Sequence, residues 1–255
     1  MSVAANDGTP IRSVHESAER MECLNEAKKE QRVESAKIRI TVIGVGGIGS
    51  HLAGWVARLL SYPPTGYAWD AILTLVDGDS YEDRNAERQE FDRAGNKAQA
   101  AQQRLKRQFP RLDIVAIGEF LGPENAEFIL RDGEVVLLCV DNHPTRKFVS
   151  DFVRANCPNV TLISGGNDTK GYGTVYVCLR REGVDSTPPL TARDPAIANP
   201  TEKPPWEKTC EELAEAGEPQ LFLANLMVGD VMINALFGHL CDPAEFAARA
   251  ADRSG

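Results

Sequence analysis

The chain has 255 residues, of which 42% are hydrophobic and 25% charged, as expected for one large α/β domain or two small ones burying a sizeable core. That balance excludes a disordered or collagen-like chain. The 28 Lys and Arg face 37 Asp and Glu, a formal net charge of −9, which argues against a general nucleic-acid binder but leaves room for a nucleotide in a small pocket.

No apolar run is read as long enough to cross a bilayer, and residues 1–20 (MSVAANDGTPIRSVHESAER) lack the apolar stretch of a secretory signal. A cytoplasmic location without membrane contact is therefore expected. The cysteines Cys23, Cys139, Cys157, Cys178, Cys210 and Cys241 form no C-x-x-C pair, so neither a disulfide framework nor a structural zinc is expected. Most should be reduced, buried and inert.

Residues 1–36 are polar and mixed in sign, and read as an N-terminal helical arm preceding a single domain over 37–255. Ile38–Ile43 is a β-branched run ending in glycines, the profile of a buried strand. A helical apolar pattern follows over Ile48–Ser61, carried by Ile48, Leu52, Trp55, Val56 and Leu59. Further strand-like runs lie at Ala71–Val76, Asp113–Ile117, Val135–Val140 and Val160–Ser164. Helix-favouring stretches separate them at Asn96–Phe109, Glu124–Arg131 and Pro144–Ala155. This alternation predicts a doubly wound, Rossmann-like α/β fold, a mostly parallel sheet with helices on both faces. Gly171–Arg181 alternates and reads as an antiparallel edge strand. Residues 182–219, rich in Pro and charge, read as a long excursion loop before an apolar helix over Leu221–Leu240.

The chemistry-bearing residues fall at strand ends. Gly44-Val45-Gly46-Gly47-Ile48-Gly49 is a G-x-G-x-x-G between a strand and a helix. There, glycines allow a tight turn and close backbone approach, and the helix N-terminus attracts phosphate. The pattern alone does not choose between NAD, FAD and ATP, and a ligand-free turn is the bland alternative. Asp77-Gly78-Asp79 ends the second strand, where an acid accepts hydrogen bonds from ribose hydroxyls. Then come Asn85, Arg88 and Gln89 within DRNAERQ, and Lys97 in Gly95-Asn96-Lys97 at a helix start. Asn, Arg, Gln and Lys beside a phosphate-binding turn point to a triphosphate rather than a hydride carrier. Arg88 and Lys97 are placed to neutralise charge developing on phosphates. Asp141, in Cys139-Val140-Asp141-Asn142-His143, sits at a strand end facing the same crevice, where it can hold Mg²⁺. Asp141 or Asn142 equally suits the N-cap of the following helix. His51 reads as a packing residue, His143 as solvent-facing, and Arg104, Lys106, Arg107 and Arg111 as a solvated helix face.

The succession GVGGIG, DGDSYEDRNAERQ, GNKA and CVDNHPTR resembles the ThiF/MoeB/HesA family, which includes the ubiquitin-activating enzymes. The resemblance covers roughly residues 37–165 and continues more weakly through the last apolar helix. Within the family, the short chain is similar to the ThiF-like proteins of plasmid-borne PRTRC gene clusters, which accompany a ubiquitin-like protein. The resemblance implies an ATP- and Mg²⁺-dependent adenylyltransferase, acting on the C-terminal glycine carboxylate of a ubiquitin-like or sulfur-carrier protein, and a homodimer. It places Gly44, Gly46, Gly47 and Gly49 along the nucleotide, with Asp77 and Asp79 at the ribose side. Asn85, Arg88, Gln89 and Lys97 then serve the phosphates, and Asp141 the metal.

The chain departs from the family pattern in four ways. The usual N-L-x-R-Q reads Asn85-Ala86-Glu87-Arg88-Gln89, and the lysine motif is one residue tighter. Tyr62–Asp70 is an insertion. The N-terminal R-Y-x-R-Q segment, whose arginine reaches across the dimer, is missing, with Arg12, Arg20 and Arg32 as substitutes that nothing in the sequence separates. The paired C-x-x-C motifs of many members are also absent. For a thioester step, Cys210 stands at the end of the excursion, where related enzymes cross the active site; an unreactive loop cysteine is the competing reading. Two alternatives stand beside adenylation of a protein tail: an inactive nucleotide-binding scaffold, and ATP-dependent activation of a small-molecule or RNA-borne group. A plain NAD oxidoreductase leaves residues 83–97 unexplained.

Overall fold

The computed structural model describes residues 37–82, 89, 92–167, 172–208 and 222–252. Asn85, Arg88 and Cys210, and the proposed arm over 1–36, lie outside the described residues.

The sheet has seven strands in the order β5-β2-β1-β6-β7-β8-β9. These are β1 (Ile38–Ile43), β2 (Ala71–Val76), β5 (Asp113–Ile117), β6 (Glu134–Leu138), β7 (Val160–Asn167), β8 (Gly173–Arg181) and β9 (Val184–Asp185). The first five run parallel, and β8 and β9 add antiparallel pairings at one side. A separate two-stranded ribbon joins β3 (Ser80–Tyr81) to β4 (Gly95–Asn96). The helices are α1 (Gly47–Ser61), α2 (Lys97–Gln108), the single turn α3 (Ala126–Ile129), α4 (His143–Asn156), the short α5 (Leu190–Arg193) and α6 (Pro195–Ala198), α7 (Phe222–Cys241) and α8 (Pro243–Asp252).

Burial explains why the parallel strands read as continuous apolar runs. Alternate residues of one strand feed different cores, one on each face of the sheet. Ile40, Val42, Val135 and Leu137 pack with Leu52 and Val56 of α1, Leu105 of α2 and Met232 of α7. Ile43, Val136 and Leu138 pack instead with Val149 and Val153 of α4, and with Leu190 and Ile197 of the excursion. Truncating a fully buried side chain such as Leu137 to Ala costs about 2–5 kcal/mol in such settings.

Several sequence expectations need correction. The Glu124–Arg131 helix shrinks to one turn because the Asn125 carboxamide serves the loop, accepting from the Gly122 N–H at 2.9 Å and donating to the Phe120 carbonyl at 3.0 Å. β7 runs three residues beyond Ser164, since Gly165 and Gly166 still pair with Val175 and Thr174 and carry no Cβ where Met232 and the Arg146 guanidinium lie. β8 supplies the expected antiparallel strand at this edge, and the two-residue β9 pairs outside it at Arg180 and Arg181. Residues 184–207 contain β9, α5, α6 and a 3-10 turn at Pro205–Glu207. That turn is anchored by Trp206, which packs edge-on against Phe148 at 5.2 Å.

Arg104 does not belong to a solvated face. It is buried and donates to the Ser50 carbonyl of α1 at 3.2 Å. Finally, α7 is 20 residues long and holds an 18-residue window of mean hydropathy 1.3, long and apolar enough to cross a membrane by length and composition, contrary to the sequence expectation. Here Ala224, Val228, Met232 and Leu236 face inward, and Val228, Met232 and Leu236 join the core shared with α1.

Candidate active site

The carboxyl ends of β1, β2 and β6 form the site. The chain moves from β1 outward to β2 and β5, then returns to the other side of β1 as β6, so β1/β6 is the switch point of the doubly wound sheet. Crevices at such points are where open α/β sheets bind ligands.

The glycine turn joins β1 to α1. Gly44 has φ +87°, in the left-handed region, and a Cβ there would meet the Cys139 carbonyl carbon and Val140 nitrogen at 3.0 Å. The turn is thus seated against the residues that lead into Asp141. A side chain at Gly49 would collide with the Gly44 carbonyl oxygen, while Gly46 faces open space. Gly46 is also the N-cap of α1 and supplies no capping side chain, and the first turn holds no acid. No N-cap side chain therefore bonds the first N–H groups of α1, a setting suited to an anion.

Asp77 ties this turn to β2. Its Oδ2 accepts the Val45 N–H at 2.6 Å and its Oδ1 the Asp79 N–H at 2.9 Å. Burial raises its pKa, against the pull of Lys97 and of those two N–H groups. The hydroxyl of Tyr81, itself buried, donates to the Val45 carbonyl at 2.9 Å and fixes the same turn from β3. Asn96 closes the far side by donating to the Asp77 carbonyl at 2.8 Å, and its Oδ1 caps α2 by accepting the Gln99 N–H. Lys97, first residue of α2, is buried along its stem and pairs through Nζ with Asp79 at 2.6 Å. Three motifs separated in sequence thus form one connected network.

Asp141 is exposed beyond β6. Asn142 rather than Asp141 caps α4, its Oδ1 accepting the Thr145 N–H at 2.9 Å, which leaves Asp141 free of the capping role. Behind them, Arg146 is buried and donates through Nη2 to the carbonyls of Val140 at 2.6 Å and Gly165 at 2.7 Å. Burial lowers the Arg146 pKa, and the nearby Asp141 charge acts in the opposite sense. The excursion reaches this corner too, where Glu202 accepts the His143 N–H at 2.8 Å. Although partial burial acts upward, hydrogen bonds from the backbone N–H groups of His143, Thr201 and Glu202 itself hold the Glu202 carboxyl below its usual range. Gln89 is half-buried, and His51 packs edge-on against Phe222 at 5.5 Å.

Among the described residues, no three His, Cys, Asp or Glu side chains cluster as a metal cage. An exposed single carboxylate still fits Mg²⁺, which keeps several waters and is commonly held by one or two carboxylates plus substrate phosphates. The buried thiols are unsuited to nucleophilic work. Desolvation pushes Cys139 and Cys178 up to about 12 and Cys157 up to about 11.

Sequence reasoning passed over Tyr81, Arg146 and Asn225. Arg146 was visible within CVDNHPTR, and Asn225 as an amide inside an apolar helix; nothing local marked Tyr81.

These features define a doubly wound α/β protein with an uncapped glycine turn at its switch point. Residues 18–243 match the ThiF family, and the chain belongs to it. It is 32% identical over 197 residues to the adenylyltransferase and sulfurtransferase uba4 of Aspergillus niger, covering 73% of this chain and 36% of that protein. It is 37% identical over 143 residues to the adenylyltransferase and sulfurtransferase MOCS3 of Drosophila sechellia, covering 54% of this chain and 29% of that one. The chain thus spans about a third of the length of these relatives. Among solved structures, E. coli MccB crystallised with MccA superposes with a TM-score of 0.58 at 13% identity, over 79% of this chain and 55% of that one, a likeness of fold.

Proposed function

We propose that this protein is an adenylyltransferase that uses ATP to activate the C-terminal carboxylate of a ubiquitin-like or sulfur-carrier protein. The observation that carries the reading is the single network joining the glycine turn, Asp77, Asp79 and Lys97, set against Asp141 across the switch point.

In the reaction, a carboxylate oxygen of the acceptor attacks the α-phosphorus of ATP. The bond from that phosphorus to the bridging oxygen breaks, and pyrophosphate leaves with the electron pair. The acceptor carboxylate is already ionised at neutral pH, so no general base is required. The uncapped start of α1 receives phosphate oxygens, and the Asp77 carboxylate takes the ribose side while holding Val45 in place. Lys97, with Arg88, Asn85 and Gln89, meets charge developing on the departing pyrophosphate. Asp141 would hold Mg²⁺, which when bound neutralises phosphate charge. The residues 182–219 guide the acceptor tail, and the active form is a homodimer. If a thioester follows, Cys210 is its carrier, from its place at the end of the excursion where related enzymes cross the active site; burial pushes up the thiols of Cys139, Cys157 and Cys178, which does not favour them.

The test is calorimetric titration of the full chain with Mg-ATP and, separately, NAD⁺. Pyrophosphate exchange then follows with a panel of small ubiquitin-like proteins ending in Gly-Gly. Binding of Mg-ATP with exchange stimulated by at least one of them supports the reading. Binding of NAD⁺ alone overturns it, and Mg-ATP binding without exchange on any acceptor favours the nucleotide-binding scaffold.

A further inference from the structure

The buried positions of α7 are Ala224, Asn225, Val228, Gly229, Met232 and Leu236, and Asn225 is the one polar side chain among them. Its carboxamide is fully buried. Oδ1 accepts from Nδ2 of Asn167, the last residue of β7, at 2.6 Å. Nδ2 has no hydrogen-bond partner among the described residues. The whole amide lies against Gly47, first residue of α1, where an added Cβ would collide with Nδ2 and approach Cγ at 2.8 Å and Oδ1 at 2.9 Å.

A buried amide donor left unpaired costs stability, and a leucine of the same size would avoid that cost. Such a local loss is expected where function requires it. Its location is distinctive: Gly47 is the first residue of α1, whose N-cap makes no side-chain hydrogen bond and whose first turn holds no acid, and the unpaired Nδ2 is the amide atom nearest to it.

We infer that Asn225 is a positioning residue for the nucleotide turn, resting on the adenylation reading above. Held by Asn167, its amide packs Gly47 into register and sets its unpaired donor, Nδ2, against the start of α1. The first N–H groups of the helix are thereby aimed at the triphosphate.

The experiment compares Asn225→Leu and Asn225→Asp with the wild type for Mg-ATP binding by calorimetry, KM and kcat in pyrophosphate exchange, and thermal stability. Asn225→Leu keeps the volume but removes the amide. It should leave Tm unchanged or raise it while weakening Mg-ATP binding at least tenfold, with KM rising and kcat nearly constant. Asn225→Asp puts a carboxylate oxygen where the donor stood and should bind more weakly still. Should the leucine variant not fold, Asn167→Ala removes only the partner of Asn225 and should weaken binding severalfold. Wild-type affinity in all folded variants would overturn this inference alone. A wild-type chain that does not bind Mg-ATP would overturn it together with the adenylation reading.

Discussion

The backbone N–H of Val45 donates to Oδ2 of Asp77 at 2.6 Å, so the acid ending β2 holds the glycine turn at the end of β1. The family resemblance assigns Asp77 to a ribose, yet both its oxygens already serve the protein, Oδ1 through the Asp79 N–H. Each carboxylate oxygen has a second lone pair, so the two roles are compatible. Asp77→Asn should therefore harm both fold and site. Its one acceptor oxygen cannot satisfy two N–H groups, and its NH₂ would face one of them. The expected loss is about 1–3 kcal/mol of stability, with Mg-ATP affinity falling more than tenfold. Urea unfolding and calorimetry on the same preparation check this.

The glycines separate fold from function. Gly49→Ala drives a methyl into the Gly44 carbonyl and should lower Tm by many degrees or abolish folding. Gly46→Ala meets nothing within 4 Å, so it should lower Tm far less than Gly49→Ala does. Its methyl instead occupies the open side of the turn, and the KM for ATP should rise. Melting curves alongside pyrophosphate exchange distinguish the two variants.

Lys97 pairs with Asp79 at 2.6 Å, but the carboxylate is more than half exposed, so the pair adds at most about 1 kcal/mol to the fold. Lys97→Met keeps the buried stem and removes the charge. Tm should change little, whereas kcat for exchange should fall roughly 10²–10³-fold if the ammonium meets charge developing on the leaving pyrophosphate. Unchanged kcat would remove Lys97 from the catalytic set.

How much of this could be read beforehand follows from range. β1, β2 and β5 keep their sequence-derived bounds because β-branched runs closed by glycine or acid are local signals. The meeting of Gly44, Asp77, Lys97 and Asp141 was also legible, since parallel α/β topology collects strand ends on one edge. What escaped depends on partners distant in sequence. Arg104 looked solvated because its acceptor, Ser50, is 54 residues away. Asn225 looked like an ordinary helix residue because Gly47 and Asn167 are far from it. The single turn α3 was overestimated because helix propensity gave way to Asn125 serving the loop.

The final prediction concerns pH. Nε2 of His239 on α7 lies 3.3 Å from Oγ1 of Thr161, and that oxygen also accepts from Nη2 of Arg181 at 2.9 Å. Arg181 takes one of the two lone pairs of the hydroxyl, so the bond between Oγ1 and Nε2 runs in the sense that the tautomer of the neutral ring sets. Burial, reinforced by the charge of Arg181, lowers the His239 pKa from 6.5 to about 4. The folded state thus binds this proton less readily than the unfolded chain. The stability contributed by keeping the ring neutral is complete above pH 6.5 and is lost as pH falls from there toward 4. At pH 5 the loss is on the order of 2 kcal/mol. His239→Leu keeps an apolar side chain at this partly buried position and removes the titration. Its urea midpoint should exceed or equal that of the wild type at pH 5, while falling below it at pH 7.5, where the Thr161 hydrogen bond is missed. If the two proteins lose stability in parallel between pH 7.5 and 5, His239 is not the group responsible.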